Sequence, residues 1–160
     1  MAKLSSFYAR LNKIYLPRFI AEGAAARAER VEAAPPRGTE TVLIVEDEAA
    51  ILGLGRLILE ELGYTVLTAG SPGEAIRLAA EDKPEIHLVV TDVVMPEMNG
   101  RELVERIGKL RPGLKYLFMS GYMANVIAQR GVLDEGVQFI QKPFSSNDLA
   151  RKVREALEKS

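Results

Sequence analysis

Val89-Val90-Thr91-Asp92-Val93-Val94-Met95-Pro96 is the stretch that decides how this 160-residue chain is read. A short Val-rich run ends in one carboxylate, Asp92, and a proline follows four residues later. Runs of this length and composition read as central strands buried on both faces of a sheet. Asp92 then falls at the carboxyl end of its strand, the edge where open α/β folds place ligands.

Outward from that strand, the chain from Thr41 alternates strand with helix. Thr41 to Val45 reads as a first buried strand, ending in Glu46-Asp47-Glu48. Ala49 to Leu62 reads as a helix with Ile51, Leu54, Ile58 and Leu62 on its inner face and Gly63 as its C-terminal stop. Gly53 and Gly55 inside it each disfavour helix by about 1 kcal/mol relative to Ala. Tyr64 to Thr68 is a second strand, and Ser71-Pro72-Gly73-Glu74 starts a helix that runs to about Asp82. Ile86 to Thr91 is the third strand. Asn99-Gly100-Arg101-Glu102 caps a helix with Leu103, Ile107 and Leu110 inward.

Lys115 to Met119 is a fourth strand, ending at Ser120-Gly121. Tyr122 to about Arg130 carries a weak helical pattern. Val137 to Gln141 is a fifth strand, followed by Lys142-Pro143-Phe144. Ser145 to Leu157 is a last helix, with Ser145 and Asp148 as a capping box and Leu149, Val153 and Leu157 as its core stripe. Five strands alternating with helices imply a doubly wound parallel sheet. The flavodoxin-like order 2-1-3-4-5 fits best, in an α/β fold with an N-terminal extension. In that order Glu46, Asp47, Asp92, Ser120 and Lys142 meet at one edge.

Residues 1–38 stand apart as an extension or linker, and residues 39–160 form the domain. The first 38 residues hold seven Lys/Arg and three Asp/Glu, and the remainder holds fourteen and nineteen. An acidic body argues against direct nucleic-acid binding, which wants a basic face. The extension reads as a partly helical tail closed by Pro35-Pro36-Arg37-Gly38. With no cysteine and one histidine, His87, thiol chemistry and multi-histidine metal sites are excluded. No apolar run approaches the roughly 18 residues of a membrane span, so membrane contact is not expected and a cytoplasmic location is the default expectation.

Three carboxylates brought together repel, and each keeps its proton unless a cation is near. Mg²⁺ suits such a set, since it takes a few carboxylates together with water and phosphate oxygens. Lys142 adds a fixed positive charge and Ser120 a hydroxyl. Such a site can accept a phosphoryl group on one carboxylate. Each residue alone also fits a plainer reading: solvated acids after a strand, a turn serine, a surface Lys-Pro loop. Their joint placement at successive strand ends is what the plainer readings leave unexplained.

Val45-Glu46-Asp47-Glu48, Thr91-Asp92-Val93-Val94-Met95-Pro96 with Gly100, Met119-Ser120-Gly121 and Gln141-Lys142-Pro143-Phe144 resemble the receiver domain of two-component response regulators. The resemblance spans residues 41–158. It implies Asp92 as phosphoacceptor, Asp47 as a direct Mg²⁺ ligand, Glu46 acting mostly through water, and the Val94 carbonyl as another metal ligand. Lys142 would pair with the phosphoryl group, Ser120 would be the switch hydroxyl and Phe139 the switch aromatic. The implied partner is a histidine kinase or a histidine phosphotransfer protein, and residues 1–38 are a candidate homodimer contact. Without a phosphodonor histidine or an ATP site, this segment is not expected to be a kinase, and histidine kinase activity is expected only if the full-length chain is a hybrid kinase.

Val94 is apolar and cannot orient a hydrolytic water, and Tyr122 could shield the site, so slow loss of the phosphoryl group is expected. Phe139 lacks a phenolic hydroxyl to hold an outward state. Lys13-Ile14-Tyr15-Leu16-Pro17-Arg18 is similar to the end of the ATP-binding domain of sensor histidine kinases. That favours the C-terminal receiver of a hybrid histidine kinase over the alternative, a stand-alone response regulator. An Asp-dependent phosphatase of the haloacid-dehalogenase kind would want a second Asp two residues after Asp92, where Val94 stands.

Overall fold

The computed structural model describes residues 35–81, 84–121 and 137–159. Along the chain come β1 (Thr41–Val45), α1 (Ala49–Glu61), β2 (Thr65–Ala69), α2 (Pro72–Ala80), β3 (Leu88–Asp92), α3 (Gly100–Leu110), β4 (Lys115–Ser120), β5 (Phe139–Gln141) and α4 (Ser146–Glu158). The sheet has five strands in the order β2-β1-β3-β4-β5. All four pairings are parallel. This is the expected flavodoxin-like sheet. The expected helical stretch from Tyr122 to Arg130 and most of the 1–38 extension lie outside the described residues.

Successive residues of a strand point to opposite faces, so each central strand feeds two cores. Val42, Ile44, Leu88, Val90, Leu117 and Met119 pack with Ile58 and Leu59 of α1 and Leu149 and Val153 of α4. Leu43, Val45 and Val89 pack with Ala75 and Ala79 of α2 and Leu103 and Ile107 of α3. Both faces of β1 and β3 are therefore covered, which is why these strands are apolar runs rather than alternating ones. β3 begins at Leu88, two residues later than the apolar pattern suggests, and β5 begins at Phe139 rather than Val137.

Helix α1 faces the sheet differently from the expected stripe. Ile58 and Leu62 are buried, but Leu54 is 49% exposed and Leu59 is fully buried. The reason lies at Gly55, where a Cβ would stand 3.3 Å from Ile44 Cδ1. The backbone comes close to β1 there, so Gly55, Ile58, Leu59 and Leu62 form the inner face, Leu52 is partly buried beside them, and Leu54 and Leu57 point outward. Gly53 has no such reason: a Cβ there would meet nothing within 4 Å. Gly53→Ala is therefore expected to stabilise the domain by about 0.5–1 kcal/mol. A denaturation midpoint that falls, at unchanged slope, would contradict it.

The helix starts behave as read. Ser71 Oγ accepts the Glu74 N–H at 3.3 Å and Asn99 Oδ1 accepts the Glu102 N–H at 2.9 Å. Ser145 and Asp148 form the reciprocal capping box of α4. The expected burial of Leu110 does not hold, since it is 48% exposed. It shares a face with Leu103 and Ile107 but ends the helix, where it borders an open cleft lined by Glu85, His87 and Leu114. Leu157 is likewise only partly buried, and Ala150 and Ala156 complete the inner face of α4.

Candidate functional site

The parallel register brings distant carboxyl ends together. Val45 pairs with Thr91, Asp92 with Met119, and Ser120 with Gln141. Backbone bonds continue just past the strands: the Glu46 N–H donates to the Ala69 carbonyl at 3.1 Å and the Lys142 N–H to the Ser120 carbonyl at 2.8 Å. Val93 N–H donates to the Met119 carbonyl at 2.9 Å. Glu46, Asp92, Ser120 and Lys142 are thus placed at one edge by the ladder itself, before any side chain is considered.

The side chains then converge. Lys142 Nζ donates to Glu46 Oε2 at 2.5 Å and to Asp92 Oδ2 at 2.9 Å. One carboxylate oxygen from each of Glu46, Asp47 and Asp92 lies within 4.8 Å of the others. Glu46 is 1% exposed, whereas Asp47 is exposed. Burial pushes the Glu46 carboxyl above its ordinary range, the nearby Asp92 charge adds to that, and Lys142 offsets it only in part. Burial alone would lower the Lys142 ammonium, but its bonds to Glu46 and Asp92 outweigh burial and hold it above the usual lysine value.

This donor set suits Mg²⁺. The oxygens are hard, and three carboxylates against one ammonium leave excess negative charge. The buried Glu46 carboxylate, pushed toward its protonated form, marks a place where more positive charge is stabilising. Glu46, Asp47 and Asp92 could hold the ion.

The loop after β3 is held by close backbone packing. Thr91 Oγ1 donates to the Asp92 carbonyl at 3.1 Å, and the Val94 N–H lies 3.4 Å from Asp92 Oδ1. The Val94 side chain faces outward, 61% exposed. Gly100 N–H donates to the Val93 carbonyl at 3.0 Å. A Cβ on Gly100 would stand 2.2 Å from the Asp92 carbonyl oxygen. Helix α3 therefore begins against the backbone of the site.

Of the expected site residues, Glu46, Asp47, Asp92 and Lys142 come together through their side chains. Ser120 ends β4, 1% exposed, and joins the group through its carbonyl bond to Lys142. Phe139 packs against Val93 and Phe118 rather than joining the carboxylate cluster. Tyr122 lies outside the described residues. The direct bond between Lys142 and Glu46 was not anticipated, since nothing in either local sequence reports on a partner 96 residues away. His87 precedes β3 at the opposite end of the sheet, where its Nδ1 accepts the Thr41 N–H at 3.1 Å. That bond gives it a strand-edge role.

Comparison with known proteins agrees with this geometry. A family model described as the response regulator receiver domain matches residues 42–154. Over 154 residues the chain is 42% identical to the sensor kinase CckA of Brucella abortus (strain 2308), covering 92% of this chain and 16% of that protein. The crystal structure of the receiver domain from the hybrid histidine kinase CckA superposes with a TM-score of 0.62 at 31% identity, covering 74% of this chain and 99% of that one. A CheY-like receiver domain protein from Methanospirillum hungatei JF-1 gives 0.63 at 33% identity, covering 76% and 95%.

Proposed function

The chain belongs to the response regulator receiver domain family of two-component systems, and from that premise we propose that Asp92 accepts a phosphoryl group from a phosphohistidine donor. The observation that carries this reading is the convergence of Glu46, Asp47 and Asp92 with Lys142 bonded between two of them. An Asp92 carboxylate oxygen attacks phosphorus, the new O–P bond forms, and the N–P bond to the donor histidine breaks with its electron pair leaving on nitrogen. Lys142, already 2.9 Å from Asp92 Oδ2, stabilises negative charge on the transferred oxygens. Mg²⁺ held by Glu46, Asp47, Asp92 and the Val94 carbonyl would neutralise the same oxygens when bound.

The phosphoryl group adds about −1.5 to −2 charge. Ser120, at the end of β4, offers its hydroxyl to the added oxygens, and Phe139 on the neighbouring β5 repacks with it. The face around β4 and β5 then changes its partner preference, a shift between two packings rather than a new fold. The partner supplying the group is a histidine kinase or histidine phosphotransfer protein. Incubation with a small acyl phosphate and Mg²⁺ tests the reading: one phosphoryl mass gain is expected on the peptide containing Asp92, and chelation should abolish it. No gain, or a gain elsewhere, overturns it.

Retention of the group is expected to be long. The exposed, apolar Val94 side chain beside Asp92 cannot hold an attacking water in line. Val94→Asn should shorten the half-life of the phosphorylated form severalfold in a phosphate-release time course, and an unchanged rate counts against this role.

A hybrid-kinase origin is the second reading, because the likeness to the sensor kinase CckA runs over 92% of the chain, well past the receiver domain itself. Residues 1–38 would then be the linker after a kinase module, and an in-frame kinase module upstream of Met1 in the gene is the expected finding.

A further inference from the structure

We infer that Lys142 is a built-in competitor for the divalent cation: it occupies carboxylate oxygens that the cation needs, so its charge sets the metal affinity of the site. The inference rests on the reading of Glu46, Asp47 and Asp92 as the metal ligands.

Glu46 has two oxygens and both are engaged inside the protein. Oε2 accepts from Lys142 Nζ at 2.5 Å, and Oε1 lies 3.4 Å from the Glu48 N–H. At 1% exposure Glu46 has no solvent-facing oxygen to offer without moving. Asp92 is engaged in the same way, with Oδ2 on Lys142 and Oδ1 near the Val94 N–H. A single ammonium therefore holds an oxygen of two of the three carboxylates, and only the exposed Asp47 lies outside that grip.

A divalent cation drawn to these oxygens meets the ammonium within the same few ångströms. Like charges at that separation repel strongly where water is partly excluded, and the Lys142 side chain is 14% exposed. Cation entry should push Nζ away from Glu46. It would leave Lys142 aimed at the Asp92 side of the site, where an incoming phosphoryl group needs it. Metal affinity is thus lower than three carboxylates alone would give, and metal arrival places the lysine.

Titration of the full chain with Mg²⁺ alone, followed by calorimetry at fixed ionic strength and without any phosphodonor, tests this. Lys142→Met and Lys142→Gln should bind Mg²⁺ at least about fivefold more tightly than the wild type, the lower range of site–site coupling. Lys142→Arg, which keeps the charge, should stay near the wild type. Thermal melts without Mg²⁺ establish that each variant is folded. Equal or weaker binding by both neutral variants overturns the competition while leaving the metal reading intact. No binding by any variant or by the wild type overturns both. In the wild type, where no substitution intervenes, the Lys142 Cε and Nζ resonances should move in step with Mg²⁺ occupancy, and resonances unmoved at saturation overturn the inference.

Discussion

Asp92→Asn should abolish phosphoryl uptake from a small acyl phosphate, lowering the rate by roughly 10⁴-fold or more, the range seen when a nucleophile is removed. The change is nearly isosteric, so packing around the side chain is kept, including the 3.4 Å approach of the Val94 N–H to Oδ1. What is lost is chemistry. An amide oxygen carries no full negative charge and is a poor nucleophile toward phosphorus, and the amide nitrogen has no available lone pair. Without Mg²⁺, Lys142 keeps Glu46 as a partner at 2.5 Å, so the ammonium remains at the site when its bond to residue 92 is weakened. Removing one of three clustered carboxylates also relieves repulsion, so the variant should be as stable as the wild type or slightly more so. Intact mass and peptide mapping after incubation with donor and Mg²⁺ decide it. Undiminished uptake by a folded Asp92→Asn chain would place the acceptor elsewhere.

Gly100→Ala should be the most damaging single methyl addition near the site, at about 3 kcal/mol. The new Cβ would lie 2.2 Å from the Asp92 carbonyl oxygen, 3.2 Å from its carbon and 3.3 Å from Val93 Cα. All three are backbone atoms, so no side chain can swing aside to make room. Relief requires α3 to back away from β3. That would stretch the 3.0 Å bond from the Gly100 N–H to the Val93 carbonyl and disturb packing of the fully buried Leu103. A fall in melting temperature of roughly 10 °C is expected for a domain of this size. Mg²⁺ affinity should fall with it, because the displaced backbone carries Asp92. A melting temperature within a degree or two of the wild type would show that the helix start yields easily and that glycine is not required there.

The two substitutions differ in how far the sequence alone foretells them. Asp92 stands out because an apolar run stops at a charged residue, a local signal that marks a strand end wherever it occurs. Gly100 also sits in a legible place, beside the Asn99 cap, but the cap explains Asn99 and not the glycine. Its requirement comes from a backbone oxygen eight residues earlier, brought near only when α3 folds back along β3. Helix α1 shows the same limit. It carries apolar side chains at Ile51, Leu52, Leu54, Leu57, Ile58, Leu59 and Leu62, so more than one inner face satisfies its helical period. Packing chose the face through Gly55, where the absence of a side chain lets the helix approach Ile44.

By itself the sequence determined the order and kind of the elements, the caps at Ser71, Asn99 and Ser145, and the strand ends at which Glu46, Asp92, Ser120 and Lys142 stand. Those features are local: run length, helical period and a capping oxygen act within a few residues of one another. The right-handed crossover rule then carried local order to sheet order, which is why the shared edge was legible too. Only the tertiary structure decided that Lys142 reaches Glu46 as well as Asp92. It alone decided that Leu54 and Leu110 face outward and that α3 starts in contact with the Asp92 backbone. Each of these depends on distances between elements far apart in the chain. Such distances follow from how backbones and side-chain volumes settle against one another, which no periodicity within one element encodes.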